Sequence, residues 1–134
     1  MPHPPDLEMV ADVPAMFDQD GAAQRCSLGR VRYPGLVNSV EFIPSWSLTG
    51  ANTNYRTIAV YNRGTSGAGT ALVASLDLTS GVDLTRGVAK ALTLGAGADR
   101  AIAVGDSLEW ISTATGTGAP AAGGRVIVQQ SLGS

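Results

Sequence analysis

From Val37 onward, apolar and polar residues alternate in short runs broken by Gly, Asn, Asp and Thr. A strand sets successive side chains on opposite faces, so runs of this kind predict strands. Val37, Val40, Phe42 and Ile43 open the first, and Pro44 limits it because proline has no N–H to give to a ladder. Over 55–62, Ile58 and Val60 face one way and Tyr55, Thr57, Ala59 and Tyr61 the other. Over 70–79, Leu72, Ala74, Leu76 and Leu78 share a face opposite Ala71, Val73, Ser75 and Asp77, the clearest alternation in the chain. The stretch 88–94 fits a strand through Val88, Lys90, Leu92 and Leu94, and equally a short helix through Ala89 to Leu92. Ile102 and Val104 then mark a face, Gly105-Asp106 a tight turn, and Leu108, Trp110 and Ser112 the next face. A last strand over 125–130 sets Val126 and Val128 against Ile127.

Six or seven short strands with no helix longer than two turns predict an all-β fold, an antiparallel β-sandwich or barrel. Ahead of it, residues 1–36 have a different texture and are expected to form an extended N-terminal arm to a β domain over 37–134. Residues 1–20 hold four prolines and five of the chain's eleven acids. Proline removes donors and fixes φ, which works against regular structure. Yet a tail serving only solubility needs no Leu7, Met9, Val10, Val13, Met16 or Phe17. These apolar residues predict an arm that orders against a neighbour or against its own barrel. Residues 21–36 add Arg25, Arg30 and Arg32 with no acid, a pattern suited either to pairing with the acidic arm or to an acidic partner.

Composition narrows the function. Aromatics make up only 5% of 134 residues, and Ala and Gly supply much of the apolar content, so the core is expected to be thin. Self-association or docking on a larger partner is the usual supplement. The net charge is −2, with one lysine and eight scattered arginines, which argues against nucleic acid, whose binding requires several phosphates to be neutralised. No run of about 18 apolar residues is present, so no membrane-spanning helix is expected. The first twenty residues show no basic start followed by an apolar stretch, and the expectation is a protein left in the cytoplasm or assembled into a particle there.

Candidate chemistry is sparse. His3, the single histidine, sits among prolines, where a general base would have no fixed position. Cys26 is the single cysteine, so it forms no internal disulfide, and it reads as a small buried filler before it reads as a nucleophile. Asp106 and Glu109 lie three apart at a strand start and would point to opposite faces; Asp77 and Asp83 flank a loop without calcium-loop spacing. The glycines make no phosphate-binding motif. No catalytic, cofactor-binding or metal-ligating residue is therefore assigned, and no cofactor is expected. Trp110, beside Leu108, reads as core, whereas Trp46, between two serines after Pro44, is the exposed aromatic that would mark an interface or a sugar platform.

Between Thr49 and Val128 several blocks occur in a recognisable order: TGANTNYRTIAVYNRGTSGAGTALVASLDLTSG, then KALTL, then AVGDSLEWISTATGTGAPAAGGRVIV. In this order they resemble small β-rich minor capsid, or head-decoration, proteins of tailed bacteriophages. Gly87 stands where the related blocks carry an acid before KALTL, which leaves the shape of the 84–90 loop open. The resemblance implies a non-enzymatic structural protein on the outer surface of a virion, with the major capsid protein as partner and a homotrimer as its assembly state. Residues 1–20 match no block, so the arm's role rests on composition. The expected contact residues are Leu7, Val10, Val13, Met16, Phe17, Arg25, Arg30, Arg32 and Trp46. The competing readings are a carbohydrate- or receptor-binding β-sandwich on a virion surface, using Trp46 and the tyrosines, and a small hydrolase with its acids on loops.

Overall fold

The computed structural model describes residues 6–14, 23–116 and 122–132. His3, Met16 and Phe17 lie outside the described residues. The chain folds into two antiparallel sheets packed face to face, as the alternation predicts. The strands are β1 (Asp6–Val13), β2 (Gln24–Arg30), β3 (Gly35–Pro44), β4 (Tyr55–Asn62), β5 (Ala71–Asp77), β6 (Lys90–Ala91), β7 (Thr93–Leu94), β8 (Ala101–Ile102), β9 (Ser107–Thr115) and β10 (Gly124–Leu132). One four-residue helix, α1 (Gly97–Arg100), precedes β8. The first sheet runs β1-β10-β3-β6, with β8 also on β3, and the second runs β2-β9-β4-β5-β7.

The two inner faces meet in one core that includes Val37, Val40, Phe42, Val60, Val73, Leu108, Trp110 and Val126. Trp110 is fully buried; its ring lies 4.8 Å from that of Phe42 across the sandwich, and its Nε1–H donates to Gln24 Oε1 at 3.2 Å. The inner face of β4 carries Arg56, Ile58, Val60 and Asn62, so two polar side chains enter the interior with two apolar ones. Arg56 Nη1 donates to the Ser112 carbonyl, and Asn62 Nδ2 to Asp106 Oδ2. Every buried side-chain polar atom among the described residues has a partner, which is the condition for burying such groups at tolerable cost.

Three single-residue bulges re-aim the strands. Asn38 is extra in β3 opposite Gln129 and Gln130, so Val37 and Val40, three apart, both reach the core. In β5 the extra residue is Val73; Val73 and Ala74 are both buried, and Leu72 leaves the face it was expected to share with Ala74, Leu76 and Leu78. The third, at Leu28 of β2, matters for the site below. Val104 also departs from expectation. The chain turns at Ala103–Asp106 directly after β8, which leaves Ile102 buried and Val104 61% exposed.

The ambiguous 88–94 stretch is neither one strand nor a helix. Lys90 and Ala91 pair with β3 of the first sheet, and Thr93 and Leu94 with β5 of the second. Between them Leu92 is buried and donates its N–H to the Val40 carbonyl at 2.9 Å. This crossing closes one side of the sandwich. On the opposite side lie β1 and β2, the outermost strands of their sheets. Of the two orderings left open for the arm, its described part takes the second: β1 runs along β10 over eight paired residues, and Val13 enters the core.

Candidate interaction surface

The side of the sandwich opposite the crossing is a seam between two strand edges. At one end the edges touch: Gln24 Nε2 donates to the Pro14 carbonyl, and Cys26 Sγ lies 3.7 Å from the Asp12 carbonyl oxygen. Toward the other end they part. Residues 7–9 of β1 and 28–30 of β2, with Arg32, Tyr33 and Gln130, line a hollow of about 320 Å³. No backbone hydrogen bond joins the two strands among the described residues.

The sequence opens the seam by a specific device. The bulge between Ser27 and Gly29 turns Leu28 inward, where it is 6% exposed, and leaves Gly29 at φ +123°. A residue with a Cβ is strained at that φ, so glycine is the residue the bulge requires. With no side chain at Gly29, the wall of the hollow is backbone on that side, with Met9 Sδ against it. The floor is apolar, made by Met9 and Leu28, and Leu7 is half-buried at its edge.

Arg30, Arg32 and Tyr33 form the rim and separate this hollow from a second one, about 470 Å³, which Val31, Val104 and Gly105 also line. Tyr33 is 55% exposed beside Val104, so an aromatic ring and an aliphatic side chain both face solvent. Arg30 and Arg32 are exposed and make no ion pair or hydrogen bond through their side chains among the described residues. Glu8 is the one acid lining the hollow, and one of its carboxylate oxygens accepts from Gln129 Nε2 at 3.0 Å.

The outer face of the second sheet differs, because its charges are satisfied internally. Glu109 Oε1 accepts from Arg63 Nε at 2.9 Å and from Arg25 Nη1 at 3.3 Å. Arg63 also donates to the Gly69 carbonyl, and its guanidinium lies 4.7 Å from the Tyr61 ring centroid. The two spaces around this cluster, about 430 and 510 Å³, are lined mainly by small residues and threonines, with Ile111 and Ala59 already 5% exposed.

The expected contact residues are thus dispersed. Arg30, Arg32 and Leu7 come together at the seam, while Val10, 46% exposed, lies on the outer face of the first sheet. Val13 faces the chain's own core, and Arg25 is held by Glu109 on the second sheet. Trp46, expected to be exposed, is half-buried and packs against the core. Sequence reasoning weighed Tyr33 only among the tyrosines of a sugar platform and set Val104 on a strand face with Ile102, so neither was expected at this surface. The signals were a Tyr directly before Pro34 and a Val directly before the Gly105-Asp106 turn, both places where a side chain leaves the sheet pattern.

The acids considered for chemistry have structural employment. Asp106 Oδ2 accepts from Asn62 Nδ2 and from the Ala103 N–H; Asp77 accepts from the Thr57 hydroxyl at 2.7 Å and Asp83 from the Gly50 N–H at 2.7 Å. Among the described residues no three of His, Cys, Asp and Glu gather where a metal ion would sit, and no helix is long and apolar enough to cross a membrane.

No family model matches the chain, and no curated protein does. Among solved structures, a chain in the structure of infectious bursal disease virus, Gx strain, aligns over 96% of this chain at 13% identity with a TM-score of 0.43. The present chain spans about a third, 32%, of that chain's length.

Proposed function

We propose that this chain is a structural decoration protein of a phage head. It is made in the host cytoplasm and binds the outer surface of the shell through the major capsid protein. It acts without catalysis or cofactor, and assembles there as a homotrimer that ties neighbouring subunits together. Many copies on a shell would multiply modest contacts, and binding to the assembled form alone stabilises it by mass action.

The observation that carries the reading is how the resemblance maps onto the fold. The TGANT turn leads into β4, GAGTALVASL covers β5, KALTL is the crossing at 90–94, GDSLEW opens β9, and GGRVIV opens β10. These blocks build the crossing, the second sheet apart from β2, and β10 of the first sheet. The strands without a matching block are β1, β2, β3 and β8, and of these β1 and β2 form the open seam with its exposed arginines and Tyr33. A shared scaffold with its own contact edge is what attachment to a particular shell requires. The carbohydrate reading has less support, since Trp46 packs on the core and Arg63 covers the Tyr61 ring.

The test adds purified protein to shells lacking it. Co-sedimentation together with a rise in the temperature at which the shells disrupt is expected. Shells that neither carry the protein down nor gain heat resistance would end the proposal.

A further inference from the structure

We propose that the open seam between β1 and β2 takes an extended acidic peptide segment of a partner protein. Its apolar side chains enter the hollow over Met9 and Leu28, and its carboxylates meet Arg30 and Arg32. This deepens the attachment reading and rests on it for the partner, not for the chemistry of the site.

Shape, surface and charge each contribute. The hollow follows three residues of each flanking strand, 7–9 and 28–30, so its long axis runs with the strands and fits a chain in extended form. Strand edges carry unpaired N–H and C=O groups, which an incoming extended segment can use. The lining is apolar at the bottom and cationic at the rim, an arrangement that selects alternating apolar and acidic residues. Arg30 and Arg32 have no carboxylate among the described residues, in contrast to Arg25, Arg63 and Arg125, each of which has one. Arginine and tyrosine at the mouth of a desolvating hollow are also the side chains that most often dominate binding energy.

A polynucleotide is the other polyanion to consider, and the site disfavours it. Two arginines beside Glu8 neutralise few phosphates, and the chain as a whole is negative, at −2.

The probe is a fluorescein-labelled ten-residue peptide alternating aspartate with valine. It is titrated into the full-length protein by anisotropy, beside a peptide alternating lysine with valine and a single-stranded oligodeoxynucleotide of equal negative charge. Saturable binding of the acidic peptide alone is expected, weakening with salt. The double variant Arg30→Glu with Arg32→Glu should lose at least tenfold in affinity, and Tyr33→Ala several-fold. Arg86→Glu, which reverses an exposed charge elsewhere, should bind as wild type. Amide shift changes in a nitrogen-15 spectrum should centre on residues 7–9 and 28–33. All these substitutions lie at exposed positions, and unchanged circular dichroism checks the fold. Failure to bind the acidic peptide, equal binding by the double variant, or preference for the lysine peptide or the oligonucleotide overturns the inference. Shells separate the two proposals. Co-sedimentation undiminished in the double variant refutes the seam and leaves decoration standing. Acidic-peptide binding at the seam without shell binding refutes decoration and leaves the seam standing.

Discussion

Replacing Trp110 by Phe tests how the core and the β2 edge are joined. The indole is fully buried, stacks at a tilt on Phe42, and donates Nε1–H to Gln24 Oε1 at 3.2 Å. Gln24 is 3% exposed and gives its other end to the Pro14 carbonyl, so the indole, β2 and the end of β1 are linked in series. Trp110→Phe keeps most of the stacking but removes part of the ring and the only donor to that oxygen among the described residues. The missing ring volume costs about 1–2 kcal/mol, scaled from the 3–5 kcal/mol of full truncation. An acceptor left buried and unpaired costs about 1–3 kcal/mol more. The expected total is about 3 kcal/mol, a large share of the 5–15 kcal/mol that typically holds a domain together. At about 2.1 cal/mol/K of unfolding entropy per residue, a chain of 134 residues should lose about 10 °C in Tm.

The assay is urea unfolding followed by circular dichroism, with Trp46 fluorescence as a second probe and coincident transitions as the two-state check. A double-mutant cycle isolates the polar part. In a Gln24→Leu background no acceptor is orphaned, so Trp110→Phe should destabilise by about 1–2 kcal/mol less than in the wild type. Equal losses in both backgrounds, within about 0.5 kcal/mol, would refute the hydrogen-bond argument. A single-variant loss under about 1 kcal/mol would refute the packing argument as well.

Two further predictions address the frame of the fold. Leu92→Ala, at the buried midpoint of the crossing, should cost about 2–5 kcal/mol by thermal or urea unfolding, whereas Val88→Ala, 56% exposed beside it, should stay within about 0.5 kcal/mol. Gly35→Ala places a Cβ 1.9 Å from the Ser131 carbonyl oxygen, so backbone must move and the melting temperature should fall sharply. Gly97→Ala, with nothing within 4 Å of the new Cβ, should be neutral or slightly stabilising; equal effects at the two glycines would contradict the close approach.

The sequence was legible where a strand keeps strict alternation against a single partner. In β4, Ile58 and Val60 point inward as read, and so do Val126 and Val128 in β10 and Leu108 and Trp110 in β9. It was illegible at the bulges, because one extra residue reverses the face of everything beyond it. Val73 carries no local mark that distinguishes it from an outward residue; its burial is set by the pairing of Val60 with Ala74 and Tyr61 with Leu72. The interior polar residues were hidden for a related reason. Arg56 and Gln24 are tolerable inside because groups distant in sequence, Ser112 and Trp110 among them, supply partners for them. Of the surface, the three arginines were visible as a cluster in the chain, but only the fold separates Arg25, paired with Glu109, from Arg30 and Arg32 on the rim.

That separation bears on why the seam is built as it is. An unpaired strand edge invites unwanted pairing, and charged side chains are a common way to blunt it. Glu8, Arg30 and Arg32 would meet that need alone, and a purely protective account would stop there. Protection, however, is poorly served by a Tyr 55% exposed and a Val 61% exposed beside those charges, or by a hollow with an apolar floor. Exposed apolar surface rimmed by polar residues raises the risk that charges are placed to lower, and marks sites that bind. The closed side of the same sandwich shows what this chain does when an edge is only to be covered: it lays its own 90–94 segment across both sheets and buries Leu92. On the other side the bulge at Leu28 and the glycine after it hold the edges apart, with their cations turned outward. Protection and recognition therefore predict different outcomes when the charges are kept and only the apolar rim is removed. Recognition alone requires that Tyr33→Ala weaken binding while leaving the chain monodisperse and folded.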